Sequence, residues 1–138
     1  MKTISIICQK GGVGKTTTVV NVGTVFAKLG YKTLIIDLDP QGNVSTYLNY
    51  DKLNDRYSDS IDLLQKKEEI NPGKIAKNLD ILSSNVEIAK FNEEKIVGGS
   101  KLQHALRNTK FKEYEIILID TPPTMSSLVQ EALAISDY

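Results

Sequence analysis

Residues 10–18 read KGGVGKTTT, a run whose residue types suit one task. Gly11, Gly12 and Gly14 allow a backbone that turns tightly with positive φ and comes close to a ligand. The N–H groups of such a turn converge on phosphate oxygens, at the positive end of any helix that follows. Lys15 places a compact charge between β- and γ-phosphates, and the Thr16 hydroxyl is a ligand for Mg²⁺. Nucleotide contacts are therefore expected from Gly11, Gly12, Val13, Gly14, Lys15, Thr16 and Thr17. The ordinary loop, G-x-x-x-x-G-K-[ST], fails here by one residue, because its first glycine would fall on Gln9. A second lysine, Lys10, stands instead five residues before Lys15.

Carboxylates gather at two other places. Asp37 and Asp39 crowd a loop with Pro40, Gln41, Gly42 and Asn43, and Asp120 precedes Pro122 and Pro123. A lone Asp at a strand end is ordinarily a turn or cap residue. Beside a phosphate loop it can also hold water or metal.

The flanking pattern can position these groups. Residues 3–8 (TISIIC) are short, apolar and β-branched, as in a buried parallel strand. Val19, Val22, Phe26 and Leu29 recur at helical spacing, with Val20 and Val25 beside that face, and Gly30 stands where a C-cap glycine belongs. Residues 33–37 (TLIID), 79–82 (LDIL) and 116–119 (IILI) read as further strands. Helices are predicted over residues 60–67 with Ser60 as N-cap, from Asn71-Pro72 through Lys77, from Ser100 to about Phe111 with Gln103 completing a capping box, and over residues 126–136. Short apolar strands separated by helices imply an α/β fold: a parallel sheet covered on both faces, with ligands beyond the carboxyl ends of the strands. Lys15, Asp39 and Asp120 all follow strand ends.

The composition bounds the rest. One domain over residues 1–138 is the natural count, and 41% apolar residues can build a core. Lys plus Arg equals Asp plus Glu, 17 each, so net charge gives no sign of a polyanionic partner while leaving room for a local basic patch. Cys8 is read as a small core residue at the end of the first strand, His104 as a surface or part-buried histidine, and residues 66–69 (KKEE) as a solvated helix end. No run is long enough to span a bilayer, and the first apolar run is too short for a signal peptide, so the expected location is cytoplasmic with no membrane partner.

With these residues located, the chain resembles the ParA/Soj ATPases of plasmid and chromosome partition, in the MinD/ParA group with its deviant Walker A loop. Three motifs match in order: KGGVGKTTT at residues 10–18, DLDPQGN at 37–43 and ILIDTPP at 117–123. The weaker stretches ILSSN (81–85) and EALAISD (131–137) sit where the family has similar text. The P-Q-G-N after Asp39 favours the ParA branch. MinD-like relatives usually differ there and carry a C-terminal membrane-binding helix, which is not expected here, and the long ParA form, with a DNA-binding domain ahead of the loop, is likewise disfavoured. The likeness implies a three-layer P-loop NTPase fold, ATP and Mg²⁺ as ligands, and ATP hydrolysis. Lys15 would bind the β- and γ-phosphates, Thr16 would hold Mg²⁺, and Asp120 would act on Mg²⁺ as the Walker B aspartate. Asp39 would orient the attacking water, and Asp37 either shares such a role or organises its loop. Lys10 would be the signature lysine that reaches the partner's ATP in a homodimer. Implied partners are a ParB-like partition protein and, in full-length relatives, non-specific DNA, which they grip with basic residues of the half that does not match here.

Family members run to nearly twice this length, so the resemblance implies an incomplete sheet in which the first strand is left as an open apolar edge. A longer chain, a second copy or another polypeptide would cover it. A second reading of another class is a nucleotide-binding or dimerisation module without turnover, acting on a full-length relative. An iron–sulfur relative would need cluster cysteines, and Cys8 is the only cysteine.

Overall fold

In the computed structural model, which describes residues 1–51, 57–93, 100–107 and 109–138, five strands form one sheet. They are β1 (Lys2–Ile6), β2 (Thr33–Asp37), β3 (Gly73–Ala76), β4 (Leu79–Leu82) and β5 (Ile116–Asp120), in the order β1-β5-β2-β4-β3. The first four in that order run parallel, and β3 is antiparallel to β4. The helices are α1 (Lys15–Lys28), α2 (Asn43–Tyr47), α3 (Ser60–Leu64), α4 (Lys101–Leu106) and α5 (Ser127–Ile135), with 3-10 turns at Val86–Asn92 and Thr109–Glu113.

Period-two alternation divides the sheet's side chains between two cores. Leu34, Ile36, Ile117 and Ile119 pack with Leu63 of α3, Leu102 of α4 and Leu128 of α5. Ile35, Ile81 and Leu118 face the other way, against Val19 of α1 and Val44 of α2. This is the three-layer α/β arrangement the sequence implies. On α1 the buried stripe is narrower than its apolar residues suggest: Val19 and Gly23 are buried, whereas Val25 and Leu29 are largely exposed. Gly23 lets the helix lie close to the sheet, since a Cβ there would stand 2.9 Å from Ile35 Cδ1 and 3.1 Å from Leu118 Cδ1. Gly30 closes α1 in a Schellman motif. Its N–H donates to Ala27 O, the Tyr31 N–H donates to Phe26 O, and the Phe26 and Tyr31 rings meet edge to face.

Several local expectations are corrected. Residues 73–76 form a strand, not the helix predicted from Asn71-Pro72. The local cap signal loses to a hairpin in which Lys74 faces Asp80 across the ladder and its Nζ lies 2.8 Å from the buried carboxylate. Lys32 and the Tyr114 hydroxyl bind the same oxygen of Asp80, so the hairpin completes the neutralisation of a buried charge. Asp59, not Ser60, caps α3, accepting from the Ile61 and Asp62 N–H groups. The Ser60 hydroxyl donates instead to Leu82 O. At α4 the Ser100 hydroxyl accepts from the Gln103 N–H as expected, but the reciprocal carboxylate is the buried Glu131 of α5. Glu131 accepts from the Ser100 hydroxyl and from the Lys101 and Leu102 N–H groups, holding a negative charge against a helix N-terminus. The helix ends at Leu106, and the predicted continuation passes residue 108, outside the described residues. Cys8 is exposed and lies beyond β1, so it is no core residue. His104 is exposed, as are residues 66–69.

β1 is an edge strand, but its rim is not bare. The Tyr138 N–H donates to Thr3 O and Tyr138 O accepts from the Ser5 N–H, which is one step of a parallel ladder. The Thr3 N–H donates to the Asp137 carboxylate at 2.8 Å. Residues 136–138 thus cover part of the edge that the sequence leaves open.

Candidate phosphate-binding site

Register brings the chemistry together. Ile6 and Asp37 both stand opposite Asp120, so the carboxyl ends of β1, β5 and β2 are level and their following loops emerge on one side. The loop after β1 turns back through Gly12 and Gly14, at φ 71 and 93, into the first turn of α1. Gly11 has no positive φ, so two of the three expected glycines carry the turn. A side chain at Gly12 or Gly14 would meet left-handed strain rather than crowding, because the space around both is open.

A cavity of about 360 Å³ opens there, lined by Gly11, Gly12, Gly14, Lys15, Thr16 and Thr17 on the loop and α1 side. Asp39, Gln41, Asn43 and Tyr47 line it from the segment after β2, and Pro123 from the segment after β5. Its volume is within the range of ligand clefts, roughly 300–1,000 Å³. The predicted loop residues therefore meet Asp39 in one cavity. Val13 does not line it, and its side chain is exposed. Lys10 is exposed and also stands outside the lining. Tyr47 and Pro123 line the cavity without having been singled out as site residues from sequence. Pro123 closes the third matched motif, whereas Tyr47 carries no spacing signal and only the fold places it.

Three buried carboxylates organise the floor. Asp37, wholly buried, accepts the Asp39 N–H at 3.0 Å and the Val44 N–H at 3.3 Å, tying the loop after β2 to the start of α2. Burial pushes its carboxyl well above the usual range, with Asp120 and Asp39 adding like charge, and the two backbone hydrogen bonds offset part of this. Asp39 accepts the Gln41 N–H at 2.9 Å. Asp120 accepts the Thr16 hydroxyl at 2.6 Å through Oδ2, while Oδ1 is buried without a partner. Its carboxyl is pushed up to about 6, first by burial and then by Asp39, against the pull of the Thr16 hydrogen bond and of Lys15. Such a floor fits a hard divalent cation. The Thr16 hydroxyl gives its proton to Asp120 and keeps lone pairs for a ligand, and the orphaned Oδ1 suits a cation or cation-bound water. Among the described residues no group of three His, Cys, Asp or Glu side chains could hold a metal ion.

Fold and loop together are those of the P-loop NTPase class. A family model described as an AAA domain matches residues 1–138, and the chain belongs to that family, as a member of its ParA/Soj type. The sporulation initiation inhibitor protein Soj of Bacillus subtilis is 36% identical over 99% of this chain and 55% of its own length. A plasmid partition protein from Borrelia burgdorferi B31, solved bound to AMPPNP, superposes with a TM-score of 0.86 at 30% identity, over 99% of this chain and 60% of that one. Cobyrinic acid a,c-diamide synthase from Mycobacterium smegmatis, with a bound ATP analogue and magnesium, gives a TM-score of 0.81 at 26% identity, over 99% and 57%. The chain spans about half the length of the relatives it matches. Among the described residues no helix is long and apolar enough to cross a membrane.

Proposed function

We propose that the chain binds ATP with Mg²⁺ on this loop and belongs to a partition ATPase that dimerises in the ATP state. The observation that carries the reading is the meeting of Lys15, Thr16 and the glycine turn with Asp39 in one cavity, above a Thr16–Asp120 hydrogen bond. In this reading the loop N–H groups and Lys15 hold the β- and γ-phosphates, and Thr16 with Asp120 holds the cation. Mg²⁺, when bound, neutralises charge on the phosphate oxygens. Asp39 orients the attacking water, and Asp37 keeps Asp39 in place through its backbone. Phosphoryl transfer asks for little covalent chemistry, so positioning and electrostatics supply the rate. The ATP-state dimer would be the species that meets DNA and a ParB-like partner. Calorimetric titration with Mg-ATP and Mg-GTP tests the reading. Saturable ATP binding is expected; a folded chain that binds neither removes the reading, and a preference for GTP redirects it.

Lys10 has its part in the dimer. Exposed and outside the cavity, it is available to a partner's phosphates, where a cation would stabilise developing negative charge. Lys10→Ala is expected to leave monomer ATP affinity within about twofold and to weaken dimerisation with a non-hydrolysable analogue about tenfold, as read by sedimentation. Equal dimerisation in both proteins would deny the lysine that part.

One observation favours a second reading. The chain spans about half the length of the relatives it matches. A chain that docks nucleotide or a longer relative without turnover would look the same. Robust turnover by the isolated chain would exclude that reading.

A further inference from the structure

Tyr47 ends α2 and lines the phosphate-loop cavity, although no motif accounts for it. Its side chain is 61% exposed, and among the described residues its hydroxyl makes no hydrogen bond. The segment that presents it is anchored. Val44 and Ser45 are fully buried, the Val44 N–H donates to Asp37, and the Ser45 hydroxyl donates to Gly42 O at 2.8 Å. A free phenol is thus carried on a fixed backbone at the cavity wall.

The two walls differ in chemistry. The loop wall offers backbone N–H groups, Lys15 and two threonine hydroxyls. The wall after β2 brings one acidic residue, Asp39, and three residues whose side chains carry neutral donors, Gln41, Asn43 and Tyr47. Both walls border one cavity, so an anion seated on the loop with its far end toward the second wall would be repelled there by Asp39. Neutral donors there must offset the repulsion, and a phenolic O–H is a good donor to an anionic oxygen. A diphosphate in the same pose would lack the terminal phosphate oxygens that such donors could meet.

We propose that Tyr47 is a specificity residue: its hydroxyl donates a hydrogen bond to the terminal phosphate of a loop-bound nucleoside triphosphate, so that the site distinguishes triphosphate from diphosphate. The assignment rests on the nucleotide-binding reading above. Mg-AMPPNP and Mg-ADP are titrated calorimetrically into the unsubstituted chain, Tyr47→Phe and Tyr47→Ala. The preference for AMPPNP over ADP is expected to fall about tenfold, and equally, in both variants, because both lack the same hydroxyl. A ratio unchanged in Tyr47→Phe overturns the assignment, and so does equal weakening of both nucleotides, which would mean that the ring only shapes the loop. If the unsubstituted chain binds both nucleotides without preference, the assignment falls and the nucleotide reading stands. If it binds neither, both fall.

Discussion

At pH 8 the substitution Asp120→Asn is expected to stabilise the ligand-free chain, by about 2–3 kcal/mol. Asp120 ends β5 in full burial, with Asp37 level with it across the ladder and Asp39 near enough to add like charge. Its carboxyl is pushed from 3.8 up to about 6, chiefly by burial. The folded state therefore holds the proton more tightly than the unfolded chain does. Between about pH 4 and pH 6 stability falls as pH rises, and above that window the full penalty of a buried, ionised carboxylate is in place. Removing the charge also relieves Asp37, for which Asp120 is the largest source of repulsion. The advantage of the variant should thus vanish near pH 4 and be complete at pH 8, as read from urea midpoints at both values. A variant destabilised at pH 8, or one with the same advantage at both, would show that the Asp120 carboxylate is not under strain. Addition of Mg²⁺ with nucleotide should favour the unsubstituted protein, whose unpartnered Oδ1 then gains a counter-charge.

Four strands could be read from sequence because each is a short, largely apolar run, the usual pattern of parallel strands. The grouping of Lys15, Thr16, Asp39 and Asp120 follows from the same source, since parallel strands deliver their following loops to one end. What escaped the sequence depends on distant partners. Asn71-Pro72 is locally a helix start, and only Asp80, buried and already bound by Lys32 and Tyr114, draws Lys74 into a hairpin. Gln103 was the nearest candidate to complete the cap of α4, whereas Glu131, 28 positions further along, makes the bonds. Cys8 read as the last residue of a strand that in fact ends at Ile6, before the backbone turns out toward the loop. Tyr47 ends a five-residue helix, too short to show a face. Sequence pattern thus captured the frame and the loop, while side chains whose role depends on another element were visible only in the fold.

Lys15→Ala is expected to weaken ATP binding at least tenfold and up to a hundredfold, a loss of about 1.5–3 kcal/mol. The lysine is 9% exposed at the start of α1, so its charge acts in a partly desolvated cavity where a contact to phosphate is stronger than in water. Loss of that contact is half of the effect. Lys15 also pulls the Asp120 carboxyl down, and without it the cavity's charged lining is Asp39, with the buried Asp120 behind Thr16. The remaining charge would then repel an anion, and only backbone N–H groups and neutral side-chain donors would be left to offset this. Lys15→Arg should recover only part of the loss, because a planar fork replaces a point charge beside a tight glycine turn. Calorimetry with Mg-ATP reads the change, and Lys10→Ala is the matched control: it removes a lysine of the same motif that lies outside the cavity. A large loss at position 15 beside near-normal affinity at position 10 places phosphate recognition in the cavity itself. Equal affinities in Lys15→Ala and the unsubstituted chain would mean that the glycine turn, despite its geometry, does not bind phosphate.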